Sequence, residues 1–314
     1  MQEPDRESAR FQSIEDRIAY LFAGPHGIRD GWRWLIFLGI VVACAAILVV
    51  AAVATHILNL PTPQAGAQSF TPSFVLAQEG ILVVSLFVAA LIMSKIERRP
   101  MAQYGLPAGE AFGRHFWLGS VWGFLAVTAI MVPIAALHGF SFGSVALSGG
   151  ALAGYALLWA IAFLLTGFAE EFLFRGYSQF TLADGMGFWP AAIFLSLLFG
   201  AVHLQNPGEA WPGALAAAYI GFFFCFTLRR TGNIWFAVGL HAAWDYGETF
   251  VYGVPDSGMV APGHLLNSSF HGPRWLTGGK VGPEASVACF VVISLMFLVF
   301  HFVYPAKGKV SAAS

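Results

Sequence analysis

The stretch that decides the fold is EEFLFR, residues 170–175, which closes an apolar run that begins near Ala151. Two adjacent carboxylates and a guanidinium interrupt a segment that is otherwise apolar enough to cross a lipid bilayer. Because charge buried in hydrocarbon is costly, an ionisable group at membrane depth is by default a candidate functional residue. Two more polar interruptions follow, at residues 199–203 and 241–245.

The composition of the whole chain is that of a membrane protein. Of its 314 residues, 57% are hydrophobic and 11% are charged, and the mean hydropathy is +0.69. Soluble domains carry roughly 25% charged residues. We therefore predict an all-α, polytopic membrane protein that contacts membrane lipids. The net charge of −1 does not indicate a partner, but the lack of a basic patch argues against nucleic acid. Three cysteines in apolar runs predict no disulfide framework or zinc cluster.

Eight apolar segments are candidate transmembrane helices, since a crossing needs roughly 20 apolar residues. They are residues 33–59, 74–96, 115–138, 151–178, 189–205, 211–229, 234–252 and 285–304. We interpret residues 33–138 as three N-terminal spans, 150–252 as a four-helix core and 285–304 as the last span. The first three spans and the last are almost purely apolar, so the four-helix core carries the polar interruptions.

The basic residues predict the orientation of these spans. With both termini in the cytoplasm, every lysine and arginine except Arg274 and Lys280 falls in an inner segment, as the positive-inside rule requires. Residues 253–284 then form an extracytoplasmic loop, either a lid or a loose connection. Residues 305–314 form a cytoplasmic tail. The pattern is compatible with a multi-pass protein of a bacterial plasma membrane.

The N-terminal segment, residues 1–32, is polar and is expected to be cytoplasmic. Its apolar residues recur at helical spacing between charged ones, which favours an amphipathic helix on the membrane surface. A loosely ordered tail is the alternative. No short apolar core with a cleavage site begins the chain, so the first span is expected to be an uncleaved anchor.

The first polar motif divides into a pair and a single acid. Glu171 and Arg175 are four residues apart and share a helix face, so they can neutralise one another at depth. Glu170 is rotated by about 100° and does not share that arginine. We therefore expect Glu170 to face a cavity as a general base. The alternative is an ordinary interfacial charge cluster with Arg175 reaching to the surface.

The other two motifs add two imidazoles and a carboxylate. His203 is the titratable residue of the fifth span, and Gly200 leaves room there for another backbone. His241 and Asp245 share a helix face, so that either Asp245 orients His241 or both face a substrate. A hydrogen-bonded core histidine and a polar pair joining two helices are the alternatives. Counted along their helices, His203 and His241 differ in depth by roughly 10 Å.

Together the motifs suit hydrolysis of an amide bond. Glu170, His203, His241 and Asp245 come from three helices, and amide hydrolysis needs one group to deprotonate water and others to stabilise an oxyanion. The order and spacing of the motifs resemble the CAAX-protease and bacteriocin-processing family, also called the Abi family, of intramembrane glutamic endopeptidases. Its signature is Glu-Glu-x-x-x-Arg, then Phe-x-x-x-His, then His-x-x-x-Asn or a similar residue. The resemblance covers residues 150–250.

The resemblance implies a role for each matching residue. Glu170 would activate the water with help from His203, while His241 and the residue at position 245 would form the oxyanion site. Three residues would support the site: Glu171, Arg175 and Phe199. The implied substrate is a membrane-associated peptide or protein, possibly lipidated, with the site open to the cytoplasmic half of the bilayer. This chain has Asp245 where the prenyl-protease branch has Asn, and an ionised Asp cannot donate a hydrogen bond.

Three alternatives remain open at this point. No cofactor is expected, but a zinc ion held by Glu170, His203 and His241 is the metal-dependent variant. A non-catalytic bacteriocin-immunity or chaperone-like membrane protein could use the same fold. A proton-coupled transporter could use the same residue types, although no inverted repeat is visible.

Overall fold

The computed structural model describes residues 22–24, 27–55 and 70–306, and these residues are mostly helical, which agrees with the predicted fold class. The helices are α1 Asp30–Ala54, α2 Pro72–Glu97, α3 Arg114–Ala136, α4 Gly149–Glu171, α5 Gln179–Met186, α6 Phe188–His203, α7 Trp211–Thr231, α8 Trp235–Asp245, α9 Arg274–Thr277 and α10 Val287–Val303. Two short hairpins pair β1 Ala23–Gly24 with β2 Gly27–Ile28, and β3 Phe140–Ser141 with β4 Ser269–Phe270. The predicted amphipathic helix lies almost wholly, and the C-terminal tail mostly, outside the described residues.

The apolar helices are those of an integral, multi-pass membrane protein. Five described helical segments are long and apolar enough to cross a membrane: α1, α2, α3, the segment Gly149–Met186 and α7. The helices α6 and α10 are apolar but shorter. Large apolar side chains remain exposed along these helices, such as Ile47 on α1 at 68%. The number of crossings and the orientation of the termini stay predictions.

The fourth predicted span runs further than expected. The span predicted from the sequence ends at residue 178. In the structure, helical geometry continues from α4 through the π-helical segment Phe172–Ser178 into α5 and ends at Met186. The chain bends at Gly176, whose φ and ψ are −82° and −114°. The helix ends only where Gly187 takes a positive φ of 86°, a conformation that favours glycine.

The start of α8 lies inside the bundle. The Ile234 N–H donates to the carbonyl of Gly105 at 3.1 Å, and the Trp235 indole N–H donates to the carbonyl of Pro107 at 3.3 Å. Residues 233–242 are all buried. The segment that follows α2 therefore covers the beginning of α8, and α8 continues as the π-helical segment Tyr246–Tyr252.

Small residues bring α8 and α3 into backbone contact. A Cβ atom at Gly119 would lie 2.1 Å from the carbonyl oxygen of Phe236, and one at Gly123 would lie 2.1 Å from that of Leu240. This Gly-x-x-x-Gly spacing is typical of close helix packing in membranes. The expected close approach at Gly200 is also present, since a Cβ there would lie 2.3 Å from the Ala214 carbonyl oxygen of α7.

The largest core of buried apolar side chains joins α3, α7, α8 and α10. Its fully buried members include Ile130, Phe223, Phe236 and Phe300. Burial of such side chains contributes roughly 1.5–3 kcal/mol each relative to water, and less relative to lipid. This core holds α8 in position against its neighbours.

The two ends of the helical bundle differ. At one end, Arg33 pairs with Glu97 and with Asp184, and Arg99 pairs with Asp184. At the other end lies the loop 253–284, which is ordered by β4 and by backbone hydrogen bonds such as that from the Leu265 N–H to the Phe250 carbonyl at 2.6 Å. The loose connection considered for this loop is therefore wrong.

Candidate active site

One cavity of about 260 Å³ brings the predicted site residues together. Its walls come from α2, α4, α6, α7, α8 and the loops at the 253–284 end. The lining includes all four predicted catalytic residues and one supporting residue: Glu170, His203, His241, Asp245 and Phe199. The remaining two, Glu171 and Arg175, lie directly behind this wall and are completely buried.

Glu171 is the residue that orients His241. Its Oε1 accepts a hydrogen bond from Arg175 Nη1 at 3.1 Å and lies 2.9 Å from His241 Nδ1. An ionised carboxylate only accepts, so Nδ1 carries the proton that it donates to Glu171. This is the orienting role that the sequence analysis considered for Asp245. The pairing of Glu171 with Arg175 follows the predicted four-residue spacing.

Aromatic rings surround the Arg175 guanidinium. Its carbon Cζ lies 4.2 Å from the centre of the Phe199 ring and 5.3 Å from that of Phe224. Nε and Nη2 of Arg175 have no hydrogen-bond partner, so the rings and Glu171 stabilise this buried charge. On α7, a Cβ at Gly221 would lie 2.3 Å from Arg175 Nη2, which explains the glycine there.

Glu170 lines the cavity and has no hydrogen bond on its Oε2 atom. This oxygen lies 3.7 Å from His241 Nε2. The side chain is 27% exposed, whereas that of Glu171 is fully buried. The two adjacent glutamates therefore divide as expected into a paired acid and an unpaired acid. Oε2 itself is buried beside the His241 ring, so a water in the cavity would meet the exposed part of the Glu170 side chain.

His203 shows which of its nitrogens is available. Its Nδ1 lies 2.7 Å from the Phe199 carbonyl oxygen. Because a carbonyl only accepts, Nδ1 carries the hydrogen, and in the neutral ring Nε2 carries the lone pair. His203 is thus able to accept a hydrogen bond through Nε2 within the cavity.

Both imidazoles reach the same cavity, despite the depth difference expected from counting along their helices. The Phe199 ring lies 4.6 Å from the His203 ring and 6.1 Å from the His241 ring, measured between centres. The sequence count placed the starts of both helices at one surface. Because α8 begins beneath residues 101–110, His241 lies deeper than its position in the helix indicates.

Asp245 and Glu170 both approach the same nitrogen. Asp245 Oδ2 lies 3.7 Å from His241 Nε2, one helical turn further along α8. The ring of His241 therefore has Glu171 on Nδ1 and two carboxylates near Nε2. Its face stacks on Phe224 with 5.4 Å between ring centres. Position 245 thus contacts the nitrogen that faces the cavity, as the resemblance implies.

One lining residue was missed by the sequence analysis. Glu79 of α2 is 5% exposed, and its Oε2 has no hydrogen-bond partner. It is close enough to Glu170 for the two charges to interact. The signal was a single glutamate inside the apolar run 74–96, which the sequence analysis treated as almost purely apolar.

Two acids of the loop also line the cavity, and a third lies beside them. Asp256 and Glu284 form part of the wall, and Glu248 of the π-helical segment is near both. Burial raises the pKa of Asp256 well above its usual range, and the charges of Asp245 and Glu284 raise it further. Glu248 was recognisable in sequence as an acid within the seventh span, whereas the loop acids gave no pattern.

The geometry does not favour the zinc alternative. Within the described part of the chain, a single set of three potential ligands has donor atoms within 4.8 Å of one another, and it is Glu248, Asp256 and Glu284. Glu170, His203 and His241 do not form such a set. Nδ1 of each histidine is bonded to a carboxylate or a carbonyl, which leaves Nε2 as the nitrogen that could hold a metal. The three donor atoms of a zinc site are nevertheless not brought together by these residues.

Comparison with known proteins identifies the segment that carries this site. Residues 152–247 match the model of a family described as type II CAAX prenyl endopeptidase Rce1-like. Residues 152–247 form an Rce1-like domain. This match confirms the resemblance seen in the three motifs, and the Rce1-like domain contains every predicted site residue. It supports a membrane protease as the broad function. No curated protein matches the chain.

The cavity of the Rce1-like domain opens toward the end that carries loop 253–284. Asn206, Pro207, Ser257 and Met259 line it there. The arginine ion pairs lie at the opposite end. Under the predicted topology this opening faces away from the cytoplasm. At the basic end, residues 101–110 cover the start of α8. An active site that opens to the cytoplasmic half of the bilayer, as expected from the sequence, therefore does not agree with that topology.

Proposed function

We propose that the chain is an intramembrane glutamic endopeptidase that hydrolyses a peptide bond of a membrane-associated or lipidated substrate. The observation that carries this proposal is that Glu170, which has no hydrogen bond on Oε2, lines one cavity together with His203 and His241. The match to the type II CAAX prenyl endopeptidase family supports peptide hydrolysis as the reaction class. We also propose a bacterial plasma membrane as its location.

The first chemical step is attack by water on the substrate carbonyl. Glu170 takes one proton from the water, and His203 Nε2 accepts a hydrogen bond from the second water hydrogen. The oxygen forms a bond to the carbonyl carbon, and the carbonyl π electrons move to its oxygen. The protonated Glu170 then returns its proton to the leaving amine as the C–N bond breaks. No metal is required for this proton balance.

The oxyanion formed in that step needs a donor. With Nδ1 held by Glu171, His241 Nε2 is the nitrogen that faces the cavity, and it donates when it carries a proton. Glu171 and Arg175 position His241 without touching the substrate. The Asp245 carboxylate lies beside Nε2 of His241 and keeps the ring aligned. When Asp245 is ionised, it cannot itself donate a hydrogen bond to the oxyanion.

The access route favours a substrate with apolar groups. Phe70, Phe74 and Val75 line the cavity together with the polar site residues. Apolar walls with a few convergent polar groups are typical of a binding site that orients a largely apolar ligand. We propose that the substrate chain enters from the end of the bundle that carries loop 253–284.

A cleavage assay with the purified full-length protein tests this function. Prenylated and unprenylated membrane peptides are incubated with wild type, Glu170→Ala and His203→Ala in detergent, and products are identified by mass spectrometry. We expect cleavage by the wild type and its loss in both variants. Gly154→Ala is the matched control, since a Cβ there contacts nothing within 4 Å. Equal cleavage by all four proteins would refute the assignment and favour the non-catalytic alternative.

A further inference from the structure

A second cluster of acids lies next to the active site but takes no part in the proposed reaction. One oxygen each of Glu248, Asp256 and Glu284 lies within 4.8 Å of the others. These residues come from the π-helical extension of α8 and from the start and end of the loop that closes this side of the bundle. No lysine, arginine or histidine of the described chain forms an ion pair with them.

Glu248 is the member of this cluster that points to a missing ligand. It is completely buried, and neither of its carboxylate oxygens has a hydrogen-bond partner. Trp244 Nε1 is near enough to Glu248 to be a potential donor, but neither group has a partner in hydrogen-bond geometry. A buried carboxylate without hydrogen bonds or a counter-charge is costly, so this site calls for a further group.

The other two carboxylates are held in place yet keep free oxygens. The Thr249 hydroxyl donates to Asp256 Oδ2 at 3.0 Å. The Ser257 N–H and hydroxyl donate to Glu284 Oε2 at 2.7 Å and 2.9 Å. One oxygen of each carboxylate is thus fixed by a donor, which leaves the other oxygen available to a cation.

We propose that Glu248, Asp256 and Glu284 bind a divalent cation of the calcium type. Carboxylate and other oxygen ligands are those that Ca²⁺ prefers, and its variable coordination number accommodates water in addition to protein ligands. Asp256 and Glu284 line the cavity, so the ion has a route to the site. This proposal does not depend on the peptidase assignment.

A cation here would join the active-site helix to the loop. Glu248 lies three residues after Asp245 on the continuation of α8, and its ligand partners lie at the two ends of loop 253–284. The bound ion would therefore fix the part of the cavity wall that Asp256 and Glu284 form. We expect it to stabilise the folded state, because an ion that binds only the folded chain raises stability by mass action.

The competing account is that the carboxyl groups carry protons instead. Burial raises the pKa of Asp256, and the charges of Asp245 and Glu284 raise it further, so a proton on this carboxyl group is the alternative to a bound cation. A cluster held only by protons would show no saturable uptake of Ca²⁺ at neutral pH. The two accounts therefore predict different results in a binding experiment.

Calcium binding to the full-length protein in detergent provides the test. After removal of cations with EGTA, uptake of ⁴⁵Ca²⁺ is measured by equilibrium dialysis and the melting temperature is followed in parallel, with Mg²⁺ as a second arm. We expect saturable binding of about one ion per chain and a higher melting temperature. Glu248→Gln and Asp256→Asn are each expected to weaken binding at least about tenfold, as loss of a charged ligand does.

Glu209→Gln is the matched control, because Glu209 is a nearby acid at the same end that lies outside the cluster. We expect it to bind Ca²⁺ as the wild type does, and Glu170→Gln likewise, whether or not the protein is a peptidase. Absence of saturable binding to the wild type would overturn the proposal even if a variant fails to fold. Equal binding by the wild type and both cluster variants would overturn it as well.

Discussion

Oε1 of Glu171 contacts both Arg175 and His241, and this single atom links the structural and chemical parts of the site. It neutralises the guanidinium and fixes the proton of His241 on Nδ1 at the same time. The neighbouring Glu170 is left without a hydrogen bond on Oε2. Two adjacent residues of α4 therefore differ: Glu171 holds His241 in position, and Glu170 is the acid that we propose reacts with the water.

Removal of either partner of the buried pair is expected to destabilise the protein strongly. Glu171→Leu leaves a buried guanidinium and Arg175→Leu leaves a buried carboxylate, and each should lower the free energy of unfolding by about 3–5 kcal/mol. The double variant should lose less than the sum of the two. Unfolding titrations of all four proteins in mixed micelles measure the cycle. Strictly additive losses would contradict a direct pair.

Asp245 marks where this chain departs from the prenyl-protease branch. Asn has the same shape and adds an N–H donor next to His241 Nε2, so Asp245→Asn should keep or increase kcat. Asp245→Ala should lower kcat, because the contact with Nε2 is lost. Steady-state kinetics on a cleaved peptide compare the two. A loss in Asp245→Asn as large as in Asp245→Ala would show that the charge itself is needed.

The contacts that could be predicted from the sequence are those between residues on the same face of one helix. Glu171 with Arg175 and His241 with Asp245 follow from spacing alone. The contact of Glu171 with His241 did not follow, because it depends on how α4 and α8 meet. Glu79 and Glu248 are each visible in the sequence as a single acid in an apolar run, but they were overlooked because their role depends on neighbours that only the packing of the helices reveals.

At the scale of the elements, the packing of α8 sets the geometry of the site. Its beginning is covered by residues 101–110, and its side contacts α3 at Gly119 and Gly123. These contacts fix the position of His241 in the wall of the cavity that His203 also lines. A count of residues from the membrane surface could not give this result, because the buried start of α8 is a tertiary feature.

A methyl group at the α3–α8 contact should disturb the site from a distance. Gly123→Ala places a Cβ 2.1 Å from the Leu240 carbonyl oxygen, so the helices must separate. We expect a loss of about 1–3 kcal/mol in stability together with reduced activity, because α8 carries His241. Gly154→Ala on α4 is the control, since its Cβ meets open space and should stabilise by up to about 1 kcal/mol. Equal melting temperatures for the two variants would contradict this account.

On the scale of the whole molecule, the cavity and the basic residues lie at opposite ends. The mouth is formed by residues of the loops near Asn206 and Ser257, while Arg33 and Arg99 lie at the far end. If the basic end is cytoplasmic, as the positive-inside rule predicts, the substrate reaches this site from outside the cytoplasm.

Cysteine labelling of intact cells measures this orientation. Ser269→Cys is exposed at the loop end and Ala108→Cys is exposed at the basic end. In a background without the three native cysteines, a membrane-impermeant maleimide should label Ser269→Cys in intact cells and Ala108→Cys only after permeabilisation. The reverse pattern would place the cavity mouth in the cytoplasm and refute the predicted topology.

The central claim is that Glu170 activates the water, and the ratio of kcat between wild type and Glu170→Gln tests it most directly. Glutamine keeps the size of the side chain but cannot accept the proton. With a cleaved peptide at saturating concentration and equal melting temperatures, kcat should fall by about 10²–10⁴, the usual contribution of a general base. A kcat within about threefold of the wild type would contradict the account.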